Sequence, residues 1–266
     1  MSNYTIFTDS ACDIRPEVLA EWGVPFCSLT FHFEGSPKEY SNYELSSGEL
    51  YGRMRAKGVA RTAAVNMEVF RRAFEPLLQQ GQDILYLGFS SGLSGTCQAG
   101  AMAAAELREQ YPQRKILTVD TLAASGGEGL LLWLTLEEQR RGATLEQAAA
   151  FAEGMKLKIC HWFTVDDLEY LKRGGRVSPT VALVGGLLGI RPVMHMDDEG
   201  HLIKMFTVRG RRASLQALVD KYGELAHEPG KTPIFISHGD CMEDAQLLAR
   251  LLKEAHGVEV ARIVDV

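Results

Sequence analysis

Short apolar segments alternate with helix-forming segments along the first half of this chain, and this alternation limits its possible folds most strongly. Residues 4–7, 84–89 and 116–119 are apolar runs of strand length, and helix-forming segments lie between them. Continuous apolar runs are typical of strands buried on both faces, and strands that alternate with helices form parallel sheets. The sequence therefore predicts a parallel α/β domain, with residues 26–33 as one further strand.

Three helices are marked at their starts by capping side chains. Ser46 with Glu49, and Thr144 with Gln147, have the spacing of a capping box, in which two residues of the first turn satisfy each other's backbone amides. Asn66 precedes apolar residues at helical spacing, so it is predicted to cap a third helix.

The pattern changes after about residue 156. Residues 191–195 and 202–208 are strand-like and flank the turn sequence Asp-Asp-Glu-Gly at 197–200, which predicts a hairpin and thus an antiparallel component. A length of 266 residues suits two domains. We expect an N-terminal parallel α/β domain over residues 1–156 and a C-terminal α/β domain with a mixed sheet over residues 157–266.

The charge balance and motif content exclude several classes of function. The formal net charge is -6, whereas proteins built to grip nucleic acid need a dominant basic surface. No apolar run approaches the roughly 18 residues of a membrane span. Five scattered cysteines without a CxxC pair indicate reduced thiols, which predicts a cytoplasmic location. The histidines lack metal-binding spacing and no nucleotide-binding glycine motif occurs, so we expect neither a metal nor a cofactor.

The segment of residues 90–96, which reads Ser-Ser-Gly-Leu-Ser-Gly-Thr, is the most informative local motif. It lies between a predicted buried strand and an alanine-rich helix. Backbone amides at a helix N-terminus form an anion site, but serines there are equally typical of a simple helix cap. Ser94 does not fit a nucleophile elbow, because Thr96 stands where that motif requires glycine.

Two basic clusters interrupt the acidic sequence. Residues 172–176 read Lys-Arg-Gly-Gly-Arg, and residues 209–212 read Arg-Gly-Arg-Arg. Arginines beside glycines suit a phosphate group or an acidic partner, whereas most charged surface residues simply face solvent.

Several motifs together resemble the DegV family, in the family's order and over residues 4–266. They are Thr-Asp-Ser-Ala-Cys-Asp at 8–13, the serine segment at 90–96, the long segment at 163–176, Leu-Gly-Ile-Arg-Pro at 188–192 and Asp-Glu-Gly at 198–200. The resemblance implies a two-domain DegV-like α/β fold. It also implies a bacterial protein that binds a long-chain fatty acid in a buried tunnel, with the carboxylate near the domain boundary.

The resemblance further implies a partner. Such proteins present the carboxylate to a separate fatty acid kinase, which transfers phosphate from ATP and gives an acyl phosphate for phospholipid synthesis. The binding protein would then be a substrate subunit and not itself an enzyme. Two alternatives stay open, namely a carrier or sensor of another amphiphilic lipid without a kinase, and a serine hydrolase.

Carried over to this chain, the resemblance implies that Ser94 and Thr62 bind the carboxylate, with the backbone amides of Gly95 and Thr96 nearby. It also implies three candidates for kinase docking, namely Arg173, Arg209 and Arg211.

The sequence departs from the family pattern in two places. Residues 63–66 read Ala-Ala-Val-Asn, where the family commonly has Ser-Gln-Pro-Ser. The family's later His-x-Gly-Pro-Gly segment, whose histidine reaches the carboxylate, is also missing. Either the chain is truncated at Val266 or this member lacks that ligand.

Overall fold

The computed structural model describes residues 4–166, 168–178 and 189–266. The chain divides into two compact units. The first consists of Met1–Ile159 with Val264–Val266, and the second of Cys160–Ile263. The three C-terminal residues therefore group with the first unit.

A four-stranded parallel sheet forms the centre of the first unit, which confirms the predicted α/β class. Its strand order places the first strand of the chain beside the strand of residues 83–88, with one more strand on each side. Four apolar residues of that inner strand have no exposed surface, as expected for a strand covered on both faces. In order across the sheet, the strands are β2 (Phe26–Cys27), β1 (Tyr4–Asp9), β6 (Asp83–Gly88) and β7 (Ile116–Asp120).

The predicted helix caps are present. Ser46 and Glu49 form a capping box, as do Thr144 and Gln147, and the Asn66 side chain accepts a hydrogen bond from the amide of Val69. The helices of this unit are α1 (Pro16–Trp22), α2 (Ser47–Arg55), α3 (Met67–Gln79), α4 (Thr96–Gln110), α5 (Ser125–Arg140) and α6 (Leu145–Met155).

A second, antiparallel sheet in the first unit corrects the sequence analysis. The predicted single strand over residues 26–33 is wrong, because the chain leaves the parallel sheet after Cys27. At the break, the Leu29 amide donates to Ser10 Oγ, and Ser28 Oγ accepts from the amide of Asn42. Side chains therefore satisfy backbone groups that a continuous strand would pair in its ladder. The antiparallel strands, in sheet order, are β4 (Glu39–Ser41), β3 (Thr30–Phe33) and β5 (Ala60–Ala63).

The second unit contains the predicted hairpin. Its two strands pair antiparallel, and at the turn Asp197 Oδ1 accepts from the amides of Glu199 and His201. The backbone of Gly200 there has φ 78°, a conformation that favours glycine. The elements of this unit are β8 (Trp162–Thr164), α7 (Glu169–Arg173), β9 (Ile190–Met196), β10 (Leu202–Arg209), α8 (Arg211–Leu225), β11 (Phe235–His238) and α9 (Met242–His256). A last strand, β12 (Arg262–Asp265), begins in this unit, and its final two residues belong to the segment that groups with the first unit.

Tyr86 lies at the centre of the first unit's core. Its ring contacts the rings of Phe7, Phe70 and Phe74. A side chain at Gly100 would overlap this ring, so α4 approaches β6 closely only because that position is glycine. The Tyr86 hydroxyl reaches past this packing and donates to Asp9 Oδ2 at 2.7 Å.

Three carboxyl groups are buried near the ends of β1 and α5. Asp9 and Glu128 have no exposed surface, and Asp13 is 8 % exposed. Burial raises the pKa of all three groups, that of Glu128 well above its usual range and that of Asp13 to about 7. Within the described part of the chain, these and other potential ligands form no cluster suited to a metal ion.

The raised pKa of Asp13 predicts that the free energy of unfolding falls as pH rises from about 4 to about 7. In this window the folded protein keeps a proton that an unfolded aspartate, with a pKa of about 3.9, has released. The stabilisation is complete below about pH 4 and is lost as the pH rises through about 7. Urea unfolding at a series of pH values measures this slope.

Asp13→Asn should flatten the slope, because a neutral amide replaces the titrating acid. Asparagine also tolerates the left-handed backbone of Asp13, which has φ 54°. Asp198→Asn, at an exposed position of the hairpin turn, is the matched control and should leave the slope unchanged. An Asp13→Asn profile parallel to that of the unmutated protein would contradict the prediction.

Candidate functional site

The serine loop, defined here as residues 89–95 between β6 and α4, is anchored on one side by Asp9. Asp9 Oδ2 accepts hydrogen bonds from the Phe89 amide at 3.0 Å and from the Tyr86 hydroxyl at 2.7 Å, while Oδ1 accepts from the amide of Ala11. These donors favour the anion and oppose the rise in pKa that burial of Asp9 causes. The end of β1 is thereby bonded to the first residue of the loop.

The end of β7 anchors the loop on its other side. Asp120 Oδ1 accepts from the Ser91 amide at 3.2 Å, and the Ser90 amide donates to the carbonyl of Ala123 at 2.9 Å. The Thr121 hydroxyl also donates to the carbonyl of Gly88. The loop therefore lies at the carboxyl edge of the parallel sheet, held by strands on both sides, where ligands of open α/β sheets commonly bind.

Internal hydrogen bonds fold the serine loop into a compact turn. The amides of Leu93 and Ser94 both donate to the carbonyl of Ser90, and the amide of Gly92 donates to Ser90 Oγ. Because this turn is short and bonded at both ends, it sets where the chain enters α4 and where the Ser94 side chain begins.

Ser94 is joined to Thr96 by two contacts. Its Oγ accepts from the Thr96 amide at 3.2 Å and lies 2.9 Å from Thr96 Oγ1, at hydrogen-bond distance. Thr96 has no exposed surface, whereas Ser94 is half-buried. Thr96 Oγ1 also accepts from the amide of Val65 at 3.3 Å, so it connects the start of α4 to the segment that follows β5.

Thr62, the second expected ligand, lies on β5 opposite Phe31 of β3. Its side chain is exposed and makes no hydrogen bond to any residue that the structure describes. Three residues later, Val65 bonds to Thr96 as above. The structure therefore brings Ser94, Gly95 and Thr96 together at one helix start. The segment after Thr62 is hydrogen-bonded to that helix start through Val65 and Thr96.

The start of α4 supplies the local electrostatics. Ala99 is the first residue whose amide donates to a carbonyl of the helix end, that of Gly95. The earlier amides of Cys97 and Gln98 therefore have no intrahelical acceptor, and the helix dipole adds positive potential beside Ser94. The Thr96 amide, expected to lie near the ligand, donates to Ser94 Oγ instead.

The contacts of Ser94 do not form a hydrolase site. Within the described residues, Ser94 Oγ bonds only to Thr96, which offers an amide and a hydroxyl and therefore no base. A nucleophilic serine needs an adjacent general base such as histidine.

Sequence reasoning gave no role to the Thr96 side chain, although threonine near a helix start is a common capping signal.

The three candidate docking arginines are in the second unit and have different surroundings. Arg173, at the end of α7, is ion-paired with Glu169 at 3.2 Å. Arg211, at the start of α8, is ion-paired with Asp244 of α9 at 2.8 Å and is half-buried. Arg209, at the end of β10, is exposed and makes no ion pair to the described part of the chain.

Among the helices described, none has the length and apolar character needed to cross a membrane.

Comparison with known proteins places this arrangement in a family. The family model described as "Uncharacterised protein, DegV family" matches residues 3–266. A DegV domain-containing protein of Clostridium perfringens is 37 % identical over 262 residues, which cover 97 % of this chain and 89 % of that protein.

Two solved structures share the fold. A Thermotoga maritima protein, whose structure is described as revealing a fatty acid binding function, has a TM-score of 0.83 and 28 % identity, covering 100 % of this chain and 92 % of that one. The fatty acid kinase B3 protein of Streptococcus pneumoniae, loaded with linoleic acid, has a TM-score of 0.85 and 23 % identity over the same shares. Because the family model spans nearly every residue and the Clostridium relative is similar along the same length, this chain belongs to the DegV family.

Proposed function

We propose that this protein binds a long-chain fatty acid and holds its carboxylate at the start of α4, for phosphorylation by a separate ATP-dependent kinase. The observation that carries the proposal is the Ser94 hydroxyl, which stands at the carboxyl edge of the sheet beside the N-terminus of a helix 15 residues long. The fatty acid binding described for the Thermotoga maritima protein supports the ligand class.

The donors at this site suit a carboxylate that must still react. Ser94 and Thr62 offer neutral hydroxyls, and the helix dipole favours an anion without supplying a full charge. An ion pair with arginine would bind a carboxylate in a bidentate way and occupy both of its oxygens. Neutral donors therefore suit a head group that keeps one oxygen available.

The proposed kinase reaction needs that available oxygen. A carboxylate oxygen attacks the γ-phosphorus of ATP, the bond from that phosphorus to the bridging β–γ oxygen breaks, and ADP leaves as the acyl phosphate forms. The binding protein contributes the positioned substrate, and the kinase contributes the nucleotide. The acyl phosphate would then serve phospholipid synthesis. The family resemblance supports this role, in which the protein is a substrate subunit and not an enzyme.

A carrier of another amphiphile that works without a kinase is the alternative, and one observation favours it. Residues 63–66 differ from the common family pattern, and within them Val65 is buried and its amide is bonded to Thr96. A changed segment beside the candidate ligands suits a different head group.

We also propose that the protein works in the cytoplasm. All five of its cysteines lie in the described residues and none of them forms a disulfide, and a reducing compartment keeps thiols in that state.

Ser94→Ala should weaken palmitate binding by about 1–3 kcal/mol, or roughly five- to 150-fold in Kd, because the carboxylate loses its hydroxyl donor. Isothermal titration calorimetry on delipidated protein measures the change. Ser91→Ala is the matched control: it removes an exposed hydroxyl from the same loop, while the Ser91 amide keeps its bond to Asp120. This control should bind palmitate as the unmutated protein does.

Mass spectrometry of a solvent extract tests the ligand class independently. The proposal expects a long-chain acid in the extract of the purified protein. If no acid is extracted and the unmutated protein binds neither palmitate nor oleate, the proposal is wrong.

Arg209→Ala should raise the apparent KM of a cognate fatty acid kinase for the loaded protein by about fivefold at low salt, because an exposed docking charge is lost. Palmitate affinity should not change. Arg209 is the best probe of the three arginines, since replacing Arg211 would also break its ion pair with Asp244. Acyl phosphate formation at varied carrier concentration gives the KM.

Arg72→Ala provides the control for the loss of one exposed positive charge, since this arginine lies on α3 in the first unit. Its ion pair with Glu68 is exposed to solvent and therefore contributes little to stability. An unchanged KM for Arg209→Ala would remove this arginine from the docking surface. If the loaded, unmutated protein supports no acyl phosphate formation at all, the carrier without a kinase becomes the better account.

A further inference from the structure

We propose that Thr96 is a positioning residue that makes the Ser94 hydroxyl a pure hydrogen-bond donor, so that the site selects a carboxylate over a head group with a proton of its own. This inference rests on the proposed function and specifies how its head-group site discriminates. It concerns the Thr96 side chain, whereas the family resemblance assigns only the backbone amide of this residue.

Thr96 occupies most of the hydrogen-bonding positions of Ser94 Oγ. A serine hydroxyl donates one hydrogen bond and accepts two. The Thr96 amide takes one acceptor position at 3.2 Å. The contact of 2.9 Å with Thr96 Oγ1 takes either the second acceptor position or the single proton, depending on which hydroxyl donates.

The burial of Thr96 decides between these two directions. Thr96 Oγ1 already accepts a hydrogen bond from the Val65 amide, so the hydroxyl still needs an acceptor for its own proton. If Ser94 donated to Thr96, the proton of a side chain with no exposed surface would have no acceptor among the described residues. Leaving a buried donor unsatisfied is unfavourable, so Thr96 donates to Ser94.

With Thr96 as the donor, both acceptor positions of Ser94 Oγ are filled and only its proton remains for a ligand. A carboxylate accepts hydrogen bonds and donates none, so it matches such a site. An alcohol head group also accepts the serine proton, but its own O–H then finds no acceptor on Ser94. Selectivity for the acid thus follows from Thr96 as well as from Ser94.

The test compares palmitate with hexadecanol, which has the same number of carbons and an alcohol head group. In Thr96→Val, Ser94 Oγ regains a free acceptor position, so the ratio of the Kd for hexadecanol to the Kd for palmitate should fall by about tenfold. Thr96→Ser keeps the hydroxyl and should keep the ratio of the unmutated protein. Both dissociation constants are measured by competition against one fluorescent fatty acid.

A double-mutant cycle with Ser94→Ala shows whether Thr96 acts through Ser94. Once Ser94 is alanine, adding Thr96→Val should not change the ratio further, because the group that Thr96 positions is already absent. Thr96→Val also removes the acceptor of the Val65 amide, so its thermal unfolding is recorded alongside. If that variant fails to fold, Thr96→Cys, with a weak thiol donor, should lower the ratio in the same direction.

The outcomes separate this inference from the function on which it rests. If no acid is extracted from the unmutated protein and it binds neither palmitate nor oleate, the proposed function itself is wrong. If the unmutated protein binds palmitate and Ser94→Ala weakens binding, the proposed fatty-acid site stands. An unchanged ratio in a folded Thr96→Val, or an equal change with and without Ser94, would then overturn the positioning role alone.

Discussion

The hydrogen bonds of Asp9 are the interaction on which the rest of the candidate site depends. One carboxylate oxygen at the end of β1 accepts from both the Tyr86 hydroxyl in the core and the Phe89 amide at the start of the serine loop. Because the ring of Tyr86 is held in the core, this shared oxygen fixes the position of the loop backbone relative to the core. Loss of the Asp9 carboxylate would leave three donors unsatisfied, namely the Tyr86 hydroxyl and the amides of Phe89 and Ala11. The fold and the site therefore both depend on this one side chain.

From that anchor the site follows through a short series of local bonds. The loop folds on Ser90, the chain enters α4 at Thr96, and Thr96 connects the loop to Val65 beyond β5. None of these links requires a formal charge at the ligand position. A site assembled from hydroxyls and a helix end attracts an anion while leaving it chemically accessible, which suits the proposed phosphorylation of the carboxylate by a second protein.

The parallel sheet and its helices could be predicted from sequence because their signals are local. The β6 strand is a continuous apolar run, and Ser46, Asn66 and Thr144 cap their helices through residues three positions away. The antiparallel sheet was missed because its strands are three or four residues long, and β5 has no buried residue. The role of the Thr96 side chain depends on Val65, a partner 31 residues distant that no local pattern marks.

The most direct test of the central claim is a crystal structure of the protein with palmitate bound. The account predicts one carboxylate oxygen at about 2.7 Å from Ser94 Oγ, a normal distance for a hydrogen bond between oxygens. It also predicts that Thr96 Oγ1 keeps its contacts with Ser94 and Val65. A carboxylate held elsewhere, with the Ser94 hydroxyl bonded only within the protein, would contradict the account.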